Sequence, residues 1–306
     1  VGKYIISRFL SMFITIFLVI TITFVLMHAI PGGPFTGEKK LPPATEQALR
    51  EKYKLDDPLI KQYTDYLINV SKGDLGPSFK LKGQDVNDII SRSFPASAQL
   101  GGVAVLVILA IGIPIGVIAA LKQGTWIDSG VMLLAVLGVT IPSFVVATVM
   151  IYIFSVRLNI LPSARWGTLQ HMIMPTIALS AYSLAFIARL TRSTMLEVIS
   201  QDYIRTARAK GLSEGVVIFK HALKNALIPI ITYVGPLVAA LLTGSFVIEK
   251  IFAIPGLGRF FVESISNRDY TVIMGVTIFY AVFLVVMMFI VDILYGLVDP
   301  RIKLDE

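Results

Sequence analysis

Apolar residues in this chain neither alternate nor fall into short amphipathic stripes; they run on. Six windows contain no Asp, Glu, Lys or Arg: Phe9–Gly37, Ser93–Leu121, Ser129–Val156, Trp166–Ala188, Asn225–Ile248 and Tyr270–Val291. The shortest has 22 residues, and a helix needs about 20 apolar residues to cross a bilayer core. The windows predict an all-α polytopic membrane protein with six transmembrane helices. Continuous rather than alternating apolarity excludes an outer-membrane barrel. The first window follows Lys3 and Arg8, outruns the about 7–15 residues of a signal-peptide core, and ends in His28-Ala-Ile-Pro-Gly-Gly. It reads as a retained first helix.

The polar stretch between the first two windows has its own pattern. Asp57 offers an N-cap and Pro58 the first helical position. Leu59, Tyr63, Tyr66, Leu67 and Val70 then recur at helical spacing until Gly73. A weaker helix is expected over Thr45–Tyr53, after Leu41-Pro-Pro. Together they predict a small helical cap that either recognises a partner or seals the membrane mouth. Within the windows, Gly112, Gly116 and Ala120, and Gly235, Ala239 and Thr243 beside Ala240 and Gly244, recur four apart, the spacing of close helix packing. Pro114, Pro142, Pro175, Pro229 and Pro236 each remove a backbone donor, so kinks are expected.

Composition agrees with the pattern. Of 306 residues 15% are charged, against about 25% in soluble domains, and mean hydropathy is +0.77. A soluble domain and a disulfide scaffold are excluded. The absence of cysteine removes thiol chemistry, Cys-ligated zinc and iron–sulfur clusters. The net charge of +7 bears on topology. With the N-terminus cytoplasmic, twelve Lys and Arg lie inside and five in the short outside loops, while segment 31–94 holds ten against nine acids. Such long loops translocate largely regardless of charge, so the bias places both termini inside.

Enzyme chemistry finds no support. The sequence has no P-loop, no His-Glu-x-x-His and no Gly-x-Ser-x-Gly. His28, His171 and His221 share no ligand spacing and read as interfacial or structural. No catalytic, metal or cofactor site is expected in this chain. Asp292 is the acid placed deepest in a predicted span, and a structural pairing with Arg8 or with backbone donors explains it better than an ion relay, which wants several acids.

The stretch from Arg189 to Lys224 carries seven bases and three acids. It predicts a short helix over Asp202–Lys210, acidic at its start and basic at its end as the helix dipole favours. Gly211 is the expected stop, Ser213 a new N-cap, and a second helix from Glu214 feeds the fifth span. Ile204, Ala207 and Gly211 share a face flanked by Arg205 and Arg208, narrow enough to enter a groove on another protein. A basic segment lying on anionic lipid heads is the alternative from composition.

The run Arg205-Thr-Ala-Arg-Ala-Lys-Gly211 resembles the EAA loop of ABC importer permeases, in the form found in peptide permeases. The resemblance extends through Pro31-Gly-Gly-Pro-Phe35, Gly73-Asp-Leu-Gly-Pro-Ser-Phe79, Ile141-Pro-Ser-Phe144, Ile254-Pro-Gly-Leu-Gly258, Asn267-Arg-Asp-Tyr270 and Asp299-Pro-Arg301. It is similar to the oligopeptide and dipeptide permease subunits, of the oligopeptide permease B type. Arg205 and Thr206 replace the first two residues of the general EAA pattern, so no glutamate contact is carried over.

The resemblance implies a type I ABC importer fold and half of a translocation pathway for oligopeptides. Dipeptide and nickel importers have similar permeases, and a stand-alone secondary transporter is the rival from another class. Implied partners are a second homologous permease, two cytoplasmic ATPases that bind ATP and Mg, an extracytoplasmic peptide-binding protein, the peptide substrate and membrane lipids, with no nucleic acid. The ATPase-coupling residues implied are Asp202, Ile204, Arg205, Thr206, Ala207, Arg208, Lys210, Gly211 and Leu212. The expected organisation is a start and first helix over 1–30, an extracytoplasmic cap over 31–94, a five-helix core over 95–298 with a coupling loop at 189–226, and a cytoplasmic tail over 299–306. The expected location is the bacterial inner membrane.

Overall fold

The computed structural model describes residues 2–30, 33–35 and 42–298, and their side chains except those of residues 2–5, 43 and 291–298. Among these residues, regular structure is helical apart from an isolated bridge between Pro77 and Asp85. In chain order the helices are α1 (Gly2–Ala29), α2 (Pro43–Lys52), α3 (Leu59–Ser71), α4 (Val86–Leu121), α5 (Trp126–Thr140), α6 (Ser143–Met150), α7 (Leu169–Ile199) and α8 (Asp202–Ala209). They continue as α9 (Glu214–Val216), α10 (Leu223–Ala226), α11 (Ile228–Leu242), α12 (Phe246–Ile251), α13 (Leu257–Asn267) and α14 (Tyr270–Val298). Wider π-type turns follow α6 over Ile151–Arg157 and join α9 to α10 over Val217–Ala222.

Five stretches are long and apolar enough to cross a membrane unbroken: Ile6–Ala29, Val86–Leu121, Leu169–Ile199, Ile228–Ile251 and Tyr270–Ile290. The sixth expected span is different. α5 and the helix over Ser143–Arg157 meet at a bend of 102°. Proline explains it: the residue before proline is driven out of the helical region. Ile141 accordingly sits at φ −79°, ψ 121° and Pro142 at ψ 142°. By contrast, Pro175 and Pro236 lie inside α7 and α11, and Pro229 falls in the first turn of α11.

The chain forms two compact units. One comprises Ala96–Pro255 and the end of the last helix. Its axis is α7, against which α5, α6 and α11 pack. Small residues set the distances. A Cβ at Gly112 would stand 3.0 Å from Ile187, one at Gly116 2.5 Å from the Ala188 carbonyl and Thr191, and one at Gly138 2.8 Å from Ala185. The spacing of Gly112 and Gly116 therefore serves packing of α4 on α7 within the chain. Ala104, Ile108, Ile187, Ile230 and Leu237 fill the seam among α4, α7 and α11.

The other unit comprises Val1–Pro95 and Gly256–Val286. Its core joins Val86, Ile89 and Ile90 of α4 to Leu257 of α13 and Val272 and Val276 of α14. Phe94 and Phe279 meet edge to face at 4.9 Å. The α2 and α3 helices form as the spacing predicts, but α3 starts one residue late: Pro58, not Asp57, is the N-cap. Pro58 is itself extended, at ψ 138°, so its carbonyl receives the Lys61 and Gln62 amides. The Asp57 carboxylate instead pairs with Lys61 at 2.8 Å and holds that ammonium above its usual pKa.

Candidate functional site

The α8 helix forms where the dipole argument places it, with Asp202 in its first turn and Arg208 in its last. It ends at Ala209 with Lys210 as its C-cap, and two bonds close it: the Gly211 amide donates to the Arg208 carbonyl at 2.9 Å and the Leu212 amide to the Ala207 carbonyl at 3.4 Å. This pairing needs a left-handed residue, and Gly211 supplies it at φ +79°. Beyond the turn, the Arg208 guanidinium donates to both carboxylate oxygens of Glu214, at 2.8 and 3.2 Å, tying α8 to α9. Ser213 is the N-cap residue of α9, without a side-chain capping bond.

The orientation of α8 corrects one expectation. Ile204 is 0% and Ala207 7% exposed, packed with Val117 and Ala120 of α4, Met195 of α7 and Val217. The apolar face foreseen as the docking face is buried within this chain. The reason is elementary: an eight-residue helix cannot leave an apolar face in water, and burying an Ile contributes about 1.5–3 kcal/mol. The surface left outward carries Asp202, Arg205, Thr206, Arg208, Lys210 and Gly211. Tyr203, Leu212, Val216 and Phe219 are exposed beside them. The nine residues expected to couple thus divide into two that seat the helix and seven that face out.

Two buried carboxylates were missed in the sequence. Asp128, 5% exposed, receives two bonds from the Arg192 guanidinium at 2.5 and 2.7 Å and the Gly124 amide at 3.0 Å, clamping α5 to α7. Glu249, 0% exposed, receives the Ser97 hydroxyl at 2.7 Å. Each lies one residue outside an uncharged window, and acids at window edges are the signal that finds them. Arg8 lies exposed on α1; the Asp292 side chain, and with it their expected pairing, lies outside the described residues. His28 and His171 have local partners, the Phe24 carbonyl at 2.8 Å with Gln62 Oε1 at 3.2 Å, and Thr168 at 2.6 Å. No group of three or more His, Asp or Glu suited to a metal occurs among the described residues.

A third constellation unites two motifs far apart in the sequence. Asp269, 2% exposed at the start of α14, accepts from the Ser78 hydroxyl and from the amides of Phe79 at 3.1 Å and Lys80 at 3.2 Å. It also accepts from the Thr271 hydroxyl at 3.0 Å and the Val272 amide at 3.5 Å. The Gly73–Phe79 loop is thereby pinned to the Asn267–Tyr270 corner. Burial lowers the pKa of neighbouring Lys80, with Asp269 opposing that shift and Arg268 adding to it. Beside the corner opens a cavity of about 900 Å³, lined by the end of α1, α2, α3, the loop and the first turn of α14.

Residues 112–304 match the family of binding-protein-dependent transport system inner membrane components, and residues 1–101 the N-terminal membrane component of such systems. The chain is 54% identical over 305 residues to a dipeptide transport system permease protein of Bacillus subtilis (strain 168), covering 100% of this chain and 99% of the relative. It is 47% identical over 303 residues to an oligopeptide transport system permease protein of Salmonella typhimurium, covering 98% and 99%. A chain of the MetNI methionine ABC transporter in inward-facing form shares the fold, with TM-score 0.57 and 20% identity over 69% of this chain and 96% of that one.

Proposed function

The chain belongs to the family of binding-protein-dependent transport system inner membrane components, and we propose on that premise that it is the permease subunit of an ATP-driven peptide importer. It is an integral inner-membrane protein of a transport system that works with ATPase and substrate-binding components. The relatives named for dipeptides and for oligopeptides are both close, so the substrate class carried over is peptide, without a length.

The finer organisation is part of the proposal. Both termini face the cytoplasm, the cap over 31–94 faces outward, and the loop over 189–226 faces two ATPase subunits. A second homologous permease supplies the other half of the pathway, and an extracytoplasmic protein delivers the peptide. ATP and Mg bind in the ATPases.

The single observation that carries the mechanism is the mounting of α8. Ile204 and Ala207 are sunk among α4, α7 and Val217, and α5 is fastened to α7 through Asp128 and Arg192. A push on the exposed Asp202, Arg205 and Lys210 face is therefore delivered to packed helices rather than absorbed by a loose loop. Closure of the ATPases then tilts the spans between inward-open and outward-open forms, as alternating access requires. The test is cross-linking from cysteines placed at Arg205 and Lys210 in the assembled importer. ATP-dependent cross-links to the ATPases support the assignment; cross-links to lipid alone refute it.

A further inference from the structure

The side chains a span leaves exposed show what it faces. On α1 they are chiefly apolar, among them Phe13, Phe17 and Ile22, and on α5 they include Leu133, Leu134 and Leu137. Such faces suit lipid tails. The α11 helix and the second half of α7 differ. Among the described residues of α11, none with a large apolar side chain is exposed. Its outward stripe is Pro229, Thr232, Pro236 and Ala240, at helical spacing. On α7 the residues exposed from Tyr182 onward are Tyr182, Arg189, Ser193 and Glu197, again on one face.

The two stripes adjoin. Phe186 of α7 and Tyr233 of α11 meet with ring centroids 4.5 Å apart, and the hydroxyls of Ser183 and Tyr182 neighbour the Tyr233 phenol. Tyr182 is seven residues from Arg189, and Tyr233 nine from Lys224. Helix rise therefore carries both about 10–14 Å past the flanking charges, inside a hydrocarbon core about 30 Å thick. The backbone is interrupted on the same stripe: Pro236 withholds the amide that the Thr232 carbonyl would receive, and Pro229 the one for Asn225. Lipid tails satisfy neither phenols nor carbonyls, and at this depth such groups belong against protein or a water-filled cavity. A dry contact with another helix favours small residues; it would have to bury the half-exposed Tyr182 and desolvate the exposed Arg189 charge. A wet face accommodates both.

We propose that this joined face of α7 and α11 is the chain's wall of the peptide pathway, with Tyr182, Phe186 and Tyr233 touching the moving peptide and Arg189 at the wall's cytoplasmic end. The placement rests on the peptide-importer reading and gives that reading its residues. Phenols both donate and accept, so they serve the amides of any peptide main chain. The rings serve apolar side chains, and neither contact demands a particular sequence.

The chain has no cysteine, so single introduced cysteines report accessibility directly. Thr232→Cys on the wall and Leu134→Cys on the apolar face of α5 are compared in the complete importer, built with cysteine-free partner subunits and reconstituted in proteoliposomes. The probe is a positively charged methanethiosulfonate supplied on both sides of the membrane. A thiol reacts as its thiolate, which apolar surroundings suppress, so Thr232→Cys should react about tenfold faster than Leu134→Cys or more. Labelled Thr232→Cys importer should lose most of its trialanine uptake, while labelled Leu134→Cys importer keeps it. Should Thr232→Cys fail to assemble, Tyr182→Cys reads the same face from α7. A wall cysteine that reacts no faster than Leu134→Cys, as burial against the second permease or lipid would give, overturns the placement; so does labelling that leaves uptake intact. Wild-type importer that takes up no trialanine overturns the importer reading instead, whatever the wall cysteine does.

Discussion

Asp269→Asn is nearly isosteric, yet the structure makes it costly. Both carboxylate oxygens are engaged: Oδ2 by Ser78 and the Lys80 amide, Oδ1 by the Phe79 amide, Thr271 and the Val272 amide. An Asn side chain must turn its NH2 toward one of these sets, so at least one backbone amide then faces a donor, while the Ser78 hydroxyl can turn to accept. Hydrogen bonds to a charged group contribute about 1.5–3 kcal/mol each and neutral ones about 0.5–1.5, so losing one while the others lose the charge costs about 3 kcal/mol or more. Because the Gly73–Phe79 loop depends on this one side chain, the loss should appear as local opening. Hydrogen–deuterium exchange of the segment from Gly76 to Leu81 in the nanodisc complex should accelerate about a hundredfold. Asp269→Ala, which also empties the hub, should do no less. Exchange in Asp269→Asn within about threefold of wild type, well short of that free-energy change, would refute the reasoning.

Other perturbations have defined outcomes. Gly116→Ala drives a Cβ to 2.5 Å from the Ala188 carbonyl, whereas a Cβ at Gly102 meets nothing nearer than Leu242 at 3.8 Å; thermal unfolding in detergent should show a loss of about 1–3 kcal/mol for the first and little change for Gly102→Ala. Arg192→Met strands the buried Asp128 carboxylate and should cost about 3–5 kcal/mol, with most of it restored by adding Asp128→Leu; a double variant as unstable as the single one contradicts the clamp. Ile204→Ala empties a fully buried position and should cost about 2–5 kcal/mol, while Arg205→Ala on the exposed face should leave stability within about 0.5 kcal/mol. Unfolding of the two variants side by side checks which face of α8 is buried.

Much of the fold is legible in the windows, because a bilayer leaves a backbone few options and apolar runs of this length announce their helices. What the windows miss is physical rather than incidental. Hydropathy sums side chains and is blind to backbone, so Ser129–Val156 reads as one span although Ile141-Pro142 turns it through 102°. Periodicity shows that α8 has an apolar face but not what covers it, and Ile204 goes inward because the chain's own α4 and α7 are nearest. Asp128 and Glu249 escape notice because each directly adjoins an uncharged run and so falls just outside it. Asp269 lies in the Asn267–Tyr270 motif, yet its role depends on Ser78, 191 residues away, a distance no local pattern spans. Of the residues that share a face in the pattern, Ile204 and Ala207 turn inward, while Gly211 stays exposed and stops the helix.

The central claim is that α8 transmits the work of separate ATPases to peptide movement through this chain. Its most direct test compares wild type with Gly211→Asp in the complete importer, reconstituted with the binding protein, measuring ATP hydrolysis and peptide uptake in the same proteoliposomes. Gly211 holds the left-handed turn at φ +79° that fixes the end of α8, and a side chain there is strained. The account predicts peptide-stimulated hydrolysis coupled to uptake in wild type, and hydrolysis without uptake in an inserted Gly211→Asp subunit. Normal uptake by that variant, or by one lacking Arg205 to Gly211, would contradict it.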